Sequence, residues 1–362
     1  MGSSADTPAA AAPGSDYAQL SKIVKEAGLL NRRPGYYTPK IAFTLLAFAG
    51  GWAAFVVIGR SWWQLGIAAV MAVTYTHVAF IGHDAGHKQI FSTRRANYLL
   101  GVELGNLGIG LSCGWWIDKH NRHHAHPNEV GKDPDIEPGV LVYTGWQARL
   151  RTGAGRLWCR LQAYLFFPLL LLEGLNLHAS SVRALLRRPV KSGKDRALEI
   201  ALFGVHLVGY PAVIFLVLSP WQGIGFIALH QALFGVYMGC SFAPNHKGMP
   251  VLTAENDLDY LRRQVLTTRN VHGGRTVDFL LGGLNYQIEH HLFPNMPRPN
   301  LRHSQQLIRQ FCTEHGVSYA ETRLFGSYRQ VLRHLREVGR PRPETIDASI
   351  PHPSPTISEA SK

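Results

Sequence analysis

Cysteine is scarce in this chain of 362 residues. Its four cysteines, Cys113, Cys159, Cys240 and Cys312, form no CxxC pair, which argues against a disulfide framework and against a zinc ribbon. Charge is missing from long stretches rather than from the chain as a whole. Four blocks, Ile41–Gly59, Trp62–Gly82, Leu198–Leu218 and Gln222–Phe242, hold no Lys, Arg or Asp, and Glu199 is their only acid. Each is close to the ~20 residues that cross a bilayer as a helix. Buried core helices of a soluble enzyme are the alternative, but two closely spaced pairs of such blocks favour membrane spans. Missing also from the first 35 residues is an apolar run before a small-residue cleavage site, so no signal peptide is evident.

The ends are poor in apolar residues. "SSADTPAAAAPGS" and "PRPETIDASIPHPSPTISEASK" read as disordered, so residues 1–35 are expected to be a disordered cytosolic segment and 341–362 a disordered tail, with a membrane domain over 36–340. The formal charge of +13 raises the question of nucleic acid, but the basic residues flank the apolar blocks instead of forming a separate patch. Lys22, Lys25, Arg32, Arg33 and Lys40 precede the first block; Arg183, Arg187, Arg188, Lys191, Lys194 and Arg196 precede the third. Cytoplasmic loops carry the Lys/Arg excess, so both regions, both termini and nearly all loops are placed in the cytosol. Trp62, Trp63 and Trp221 sit at the two short turns, where interfacial aromatic anchors belong.

A fifth apolar run, Leu161–Leu177, is interrupted by Pro168, Glu173 and Asn176. If it spanned, the basic segment after it would lie outside. It is therefore expected to be one helix lying in the interface. The glycine-rich Gly101–Gly110 reads as a similar, partly embedded piece. The expected fold is an all-α integral membrane protein: four transmembrane helices, at about 41–59, 62–82, 198–218 and 222–242, under a cytosolic helical cap.

Histidine is abundant where charge is not: of 18, seven fall in three tight groups. "HDAGH" places His83 and His87 one helical turn apart, on one face. "HNRHH" offers His120, His123 and His124 at i, i+3 and i+4, and "QIEHH" sets His290 and His291 on the side of Gln287. Neutral imidazole is the commonest metal ligand, and such spacing is how a helix presents two ligands to one ion. Structural zinc would bring cysteines, and seven histidines exceed one tetrahedral site. Two ions are expected, with iron among the metals suited to imidazole-rich open sites.

These groups resemble the three histidine boxes of the membrane fatty acid desaturases: "GHDAGH", "HNRHHAHPN" and "GGLNYQIEHHLFPNMPR", within a likeness running from about Tyr36 to beyond Arg298. The glutamine opening the third box resembles front-end and related acyl-CoA or acyl-lipid enzymes. The resemblance implies a non-haem di-iron centre that uses O2 and two electrons to place a cis double bond in a long-chain acyl group. It also implies a further histidine ligand just after the fourth span, where "APNHKGMP" supplies His246, with Asn245 a possible holder of a bound water. With His246 supplying an imidazole, Gln287 is expected to face the site as a weak oxygen ligand or a hydrogen-bond partner.

Asp84, Asn128, Asp133 and Asp135 are expected to orient ligating rings. Trp115 and Trp116 are expected either to line a substrate tunnel or to anchor at the interface, and His126 to lie beside the ligands or at the surface. His206 and His230, mid-membrane, are expected either to hydrogen-bond each other or to touch the tunnel. His77, His178, His272, His303, His315, His334 and His352 receive no role. No "HPGG" haem motif occurs, so a separate donor is expected, a ferredoxin with its NAD(P)H reductase or a cytochrome b5-like protein, steered to the basic cytosolic surface. The alternatives are a hydroxylase or ketolase on the same histidine scaffold and, from another class, a metal transporter.

Overall fold

The computed structural model describes residues 15–187 and 193–340. The expected disordered ends, 1–14 and 341–362, lie outside them. Residues 15–35, placed in the same segment, do not fit that expectation. Ser15–Glu26 forms helix α1, whose Leu20 and Val24, four apart, are completely buried. They pack with Val265, Ile288, Leu292, Ile308 and Phe311 in the core of the cap. A two-residue apolar stripe is too short to stand out in composition, yet it suffices once a partner surface exists.

The four apolar blocks form helices α2 (Pro34–Ile58), α3 (Gln64–Gly86), α9 (Lys194–Val217) and α10 (Pro220–His246), each long and apolar enough to cross a membrane. All four outrun their apolar cores. The extra turn on α3 holds His83 and the extra turn on α10 holds Asn245 and His246. α3 and α10 are the inner pair. α2 and α9 flank them and turn Val57, Val208 and Leu216 outward. The turns opposite the cap close their own polar groups: Gln64 Nε2 donates to the Phe55 and Gly59 carbonyls at 2.7 and 2.9 Å, satisfying the C-terminus of α2. Trp63 and Trp221 are about four-fifths exposed there, at 81% and 78%.

Between α3 and α9 the chain runs through α4 (Arg94–Val102), which continues as a π-helical turn over Glu103–Gly108, then α5 (Cys113–Ala125), the short α6 (Gly145–Arg149), α7 (Gly153–Leu170) and α8 (Glu173–Leu186). The single interfacial helix expected over 161–177 is two helices, α7 and α8, meeting at 83°. Pro168 weakens the end of α7. The elbow then seats on glycine: a β-carbon on Gly235 of α10 would come 2.5 Å from both the Leu170 carbonyl and the Gly174 amide. The π-helical turn occupies the glycine-rich stretch and packs on α3 and α9. His206 Nδ1 satisfies its Leu107 carbonyl at 2.9 Å, while His230 Nδ1 pairs with the Tyr210 hydroxyl at 2.7 Å, so these two histidines do not bond each other.

After α10 come α11 (Tyr260–Leu266), β1 (Asn270–His272), α12 (Gly274–Leu280), α13 (Gln287–Leu292), α14 (Arg298–Glu314), β2 (Glu321–Arg323) and α15 (Leu324–Gly339). The two three-residue strands pair in parallel. With α1 and α5 these elements make the cap, which sits over the ends of α3 and α10.

Candidate metal centre

The first and second histidine groups ride on the end of α3 and on α5, the third on α13, and His246 closes α10. The rings converge. Ligand nitrogens of His83, His87, His120 and His290 lie within 4.8 Å of one another, and so do those of His123, His246 and His291. His124 stands between the two sets, its Nε2 3.1 Å from that of His120 and its ring centroid 4.1 Å from that of His291. The eight histidines singled out in the sequence thus form two adjoining clusters.

Four of their Nε2 lone pairs are free to bind. Nε2 of His83, His87, His290 and His291 is buried without a hydrogen-bond partner, and imidazoles are not normally orphaned in this way. Burial, reinforced by neighbouring rings, holds His87, His120, His124, His290 and His291 well below the usual histidine range, so they are neutral at pH 7. Partners on the far nitrogen set the tautomer. His123 Nδ1 donates to Asp133 at 3.0 and 3.1 Å, and His291 Nδ1 donates to Gln264 Oε1 at 2.9 Å. Each of those bonds puts the proton on Nδ1 and aims the bare Nε2 inward. A buried set of imidazole nitrogens, four Nε2 atoms among them with no protein partner, fits two transition-metal ions; opposite His246 Nε2 stands the Gln287 amide.

Asp84 lies 3.4 Å from His83 Nδ1 and is itself held by Arg298 at 2.8 Å and the Tyr37 hydroxyl at 3.1 Å. Burial alone would lower the Arg298 pKa; the Asp84 carboxylate outweighs it, and the guanidinium stays charged. Asp135 stands 3.6 Å from His123 Nδ1 and pairs with Lys119. Burial would raise its carboxyl, but Lys119, His123 and Lys247 hold it well below the carboxylate range. Asn128 departs from expectation. It touches no ring, and its Nδ2 donates to the His246, Pro250 and Thr267 carbonyls, bracing the end of α10. His126 pairs with Glu129 at 2.8 Å, away from the clusters.

Gln287 is buried beside His246, with Nε2 2.9 Å from the His246 Nε2. Asn245 Nδ2 donates to the Leu284 carbonyl at 3.0 Å and to Gln287 Oε1 at 3.2 Å. The backbone contact fixes which way the Asn245 amide faces, and that contact in turn occupies the glutamine oxygen. Gln287 therefore presents a donor to the cluster, not a ligand oxygen. Gln264 was not legible in the sequence: it carries no motif, yet it holds His291 and donates to the His124 carbonyl at 2.9 Å. Arg298 closes the third-box stretch in the sequence, but nothing there signals its partner Asp84, 214 positions earlier.

A cavity of about 730 Å³ runs along the clusters. Its wall carries His83, His120, His123, His246 and Gln287, and most of the rest is apolar, from Val78, Leu111, Phe166, Leu170 and Met238. Trp115 and Trp116 line it, and the Trp116 ring stacks on His120 at 4.5 Å. Val140 and Leu172, 61% and 57% exposed, lie at its rim. Gly82 also faces it, and a β-carbon there would meet nothing within 4 Å.

The family model described as fatty acid desaturase matches residues 60–323. The chain belongs to the fatty acid desaturase family. It is 30% identical over 331 residues to an acyl-lipid (9-3)-desaturase of Physcomitrium patens, covering 89% of this chain. The chain spans 62% of that relative's length. A Delta(5) fatty acid desaturase of Caenorhabditis elegans is 29% identical over 359 residues, covering 89% of this chain and 73% of the relative. A Delta(8)-fatty-acid desaturase of Helianthus annuus is 25% identical over 335 residues, covering 89% and 72%. The matched segment contains all three boxes, the cavity wall and three of the four membrane-spanning helices, α3, α9 and α10, so the desaturase family's shared region and the candidate metal centre coincide.

Proposed function

We propose that this chain is an O2-dependent desaturase that introduces a cis double bond into a long-chain acyl group. One observation carries the reading: two clusters of imidazoles adjoin a largely apolar cavity, whose wall includes His83, His120, His123 and His246. The ligands proposed are His83, His87, His120 and His290 around one iron, and His123, His246 and His291 around the other, with His124 between them. When bound, the two irons supply the oxidising power: O2, two electrons and two protons are consumed, two hydrogens leave a saturated C–C pair, and two waters form.

The chain's own residues position and shield. Asp133 and Gln264 keep protons on Nδ1 of their histidines, so that Nε2 remains the ligand atom. Gln287 aims an N–H beside His246 and would offer a donor, rather than a ligand oxygen, to a water held there. The apolar wall lays the alkyl chain against the imidazoles and excludes water from the reacting carbons. No side-chain acid–base pair is required for hydrogen removal from a methylene.

The proposed substrate is an acyl lipid, with acyl-CoA as the alternative; the apolar rim at Val140 and Leu172 and the likeness to the acyl-lipid (9-3)-desaturase of Physcomitrium patens support the lipid. The proposed setting is the cell's inner membrane, with cap and metal centre in the cytosol, on the strength of the basic residues ahead of α2 and α9. Electrons are proposed to arrive from a separate ferredoxin with its NAD(P)H reductase, or from a cytochrome b5-like donor. A hydroxylase or ketolase would share the first hydrogen removal, and the family match favours desaturation. A transporter would hold its ions near the midplane of the bilayer, whereas these clusters sit at the cap ends of α3 and α10. Expression in a host with its own donors, followed by double-bond mapping of total fatty acids, tests the reading. New unsaturation near the carboxyl end, such as the Δ5, Δ6 or Δ8 positions named for relatives, is expected. A profile equal to the vector control, with iron-loaded protein present, would overturn it.

A further inference from the structure

Glu199 is the one acid in the four apolar blocks, and the desaturase reading makes no use of it. An ionisable group at membrane depth is costly and seldom idle. It lies about one and a half turns into α9, 8% exposed, and its side chain reaches the start of α5, the helix that carries His120, His123 and His124. Oε2 accepts from the Gly114 N–H at 3.0 Å and from the Ser112 hydroxyl at 3.3 Å, while Oε1 accepts from the Tyr98 hydroxyl at 3.0 Å.

The first N–H groups of a helix have no partner within it. On α5 they are shared out among several elements. Cys113 N–H goes to Asn106 Oδ1 of the π-helical turn at 3.0 Å, Gly114 N–H to Glu199, and Trp115 N–H to the Ser112 hydroxyl at 3.3 Å. Ser112 N–H is taken by the Ser181 hydroxyl of α8 at 3.0 Å, and Asn106 Nδ2 returns to the Glu199 carbonyl at 3.0 Å. Gly114 makes room for the carboxylate: a β-carbon there would come 2.7 Å from Oε1 and 2.9 Å from Oε2. An acidic group at a helix N-terminus is also favoured by the helix dipole.

We propose that Glu199 is a positioning residue that pins the N-terminus of α5 to the third span, setting the depth and tilt of the second-box imidazoles and of the Trp115–Trp116 wall. At 1.5 Å per residue, Gly114 stands only about 9 Å from His120 along the helix axis, so a shift at the joint is carried to the rings. The inference rests on the metal-centre reading for its consequence, though not for the joint itself.

The full-length chain in detergent, as wild type, Glu199→Ala, Glu199→Gln and Gly114→Ala, provides the test. Three quantities are read: amide exchange across α5, iron per chain, and kcat separately from KM. Glu199→Ala should speed exchange at Gly114–Trp116 at least tenfold, lower iron per chain, and lower kcat at least tenfold. Glu199→Gln keeps an oxygen acceptor for Gly114 and should recover most of the iron. Gly114→Ala forces the same joint apart from the other side and should lose iron as Glu199→Ala does. If Glu199→Ala fails to accumulate, Gly114→Ala is read in its place. Wild-type exchange and iron in whichever of these two accumulates, or equal losses in the Gln and Ala variants, would overturn the proposal. A wild-type chain that binds no iron would instead defeat the metal-centre reading, while exchange across α5 would still judge the joint.

Discussion

At the scale of single residues, the proposed metal centre is set by atoms outside the proposed ligand set. Asp133 is fully buried and accepts from His123 Nδ1, from Asn128 N–H at 2.7 Å and from Asp135 N–H at 2.8 Å. Asp133→Asn keeps the shape but removes the charge that favours the Nδ1–H tautomer. Losing such a partner typically costs about 10–100-fold in metal affinity. Iron binding by titration should weaken by that order in Asp133→Asn, with the helical content unchanged; an unchanged affinity would show that Asp133 serves only the loop. Gln287 is tested differently. Its N–H faces the cluster, so Gln287→Ala should bind iron nearly as well as wild type yet turn over about 10–100-fold more slowly. That range corresponds to losing a hydrogen bond worth about 1.5–3 kcal/mol to a charged group. Single-turnover product analysis alongside iron content checks it. Seven of the histidines were legible because ligand spacing within one helical turn is a local pattern, while His246, alone at the end of its span, was indicated only by the family resemblance. Gln264 and Arg298 were not, since each acts on a ring or carboxylate brought near only by the fold.

At the scale of elements, length and composition were enough to locate the four spans, because a bilayer imposes both on any helix that crosses it. The elements that failed to show were those stabilised by partners. α1 is a helix because Leu20 and Val24 find the cap core. The elbow between α7 and α8 depends on Gly235 admitting the Leu170 carbonyl and Gly174 amide, which lie far from it in sequence. The cavity is an element-scale product too, formed where α3, α5, α7, α8 and α10 diverge. Gly82 lies on the cavity side of α3, next to His83, with free space where a side chain would go. Gly82→Val should therefore fold, since removing glycine from a helix does not in itself cost stability, and it should retain iron. Its branched side chain would narrow the path past the imidazoles. Chain-length profiling of the products should show turnover of the longest acyl groups falling by at least tenfold, with shorter ones less affected. An unchanged profile would place the alkyl chain on another side of the cavity.

For the whole molecule, the proposed ligands tie membrane to cap. His83 and His246 end the inner spans, His87 follows α3, and the other five come from α5 and α13 of the cap. Val331 and Leu335 of α15 pack with Phe166 and Leu170 of α7 and with Val236 and Ala243 of α10, but between α5, α13 and the ends of α3 and α10 buried imidazoles fill the space. Metal binding should then contribute directly to cap stability, because a ligand that binds only the folded state adds RT ln(1 + [L]/Kd), about 2.7 kcal/mol at 100 times Kd. Stripping iron with a chelator should lower the unfolding temperature of the cap, and α5 and α13 should lose amide protection. α2, α3, α9 and α10 should keep their helical signal, being held by the bilayer and by their own internal hydrogen bonds. Readdition of ferrous iron should restore the original midpoint, whereas a divalent ion that avoids imidazole, such as magnesium, should not. Equal midpoints with and without bound iron would mean that the eight histidines are braced by the protein alone, and the clusters would then be preformed sites rather than a metal-dependent seam between cap and membrane.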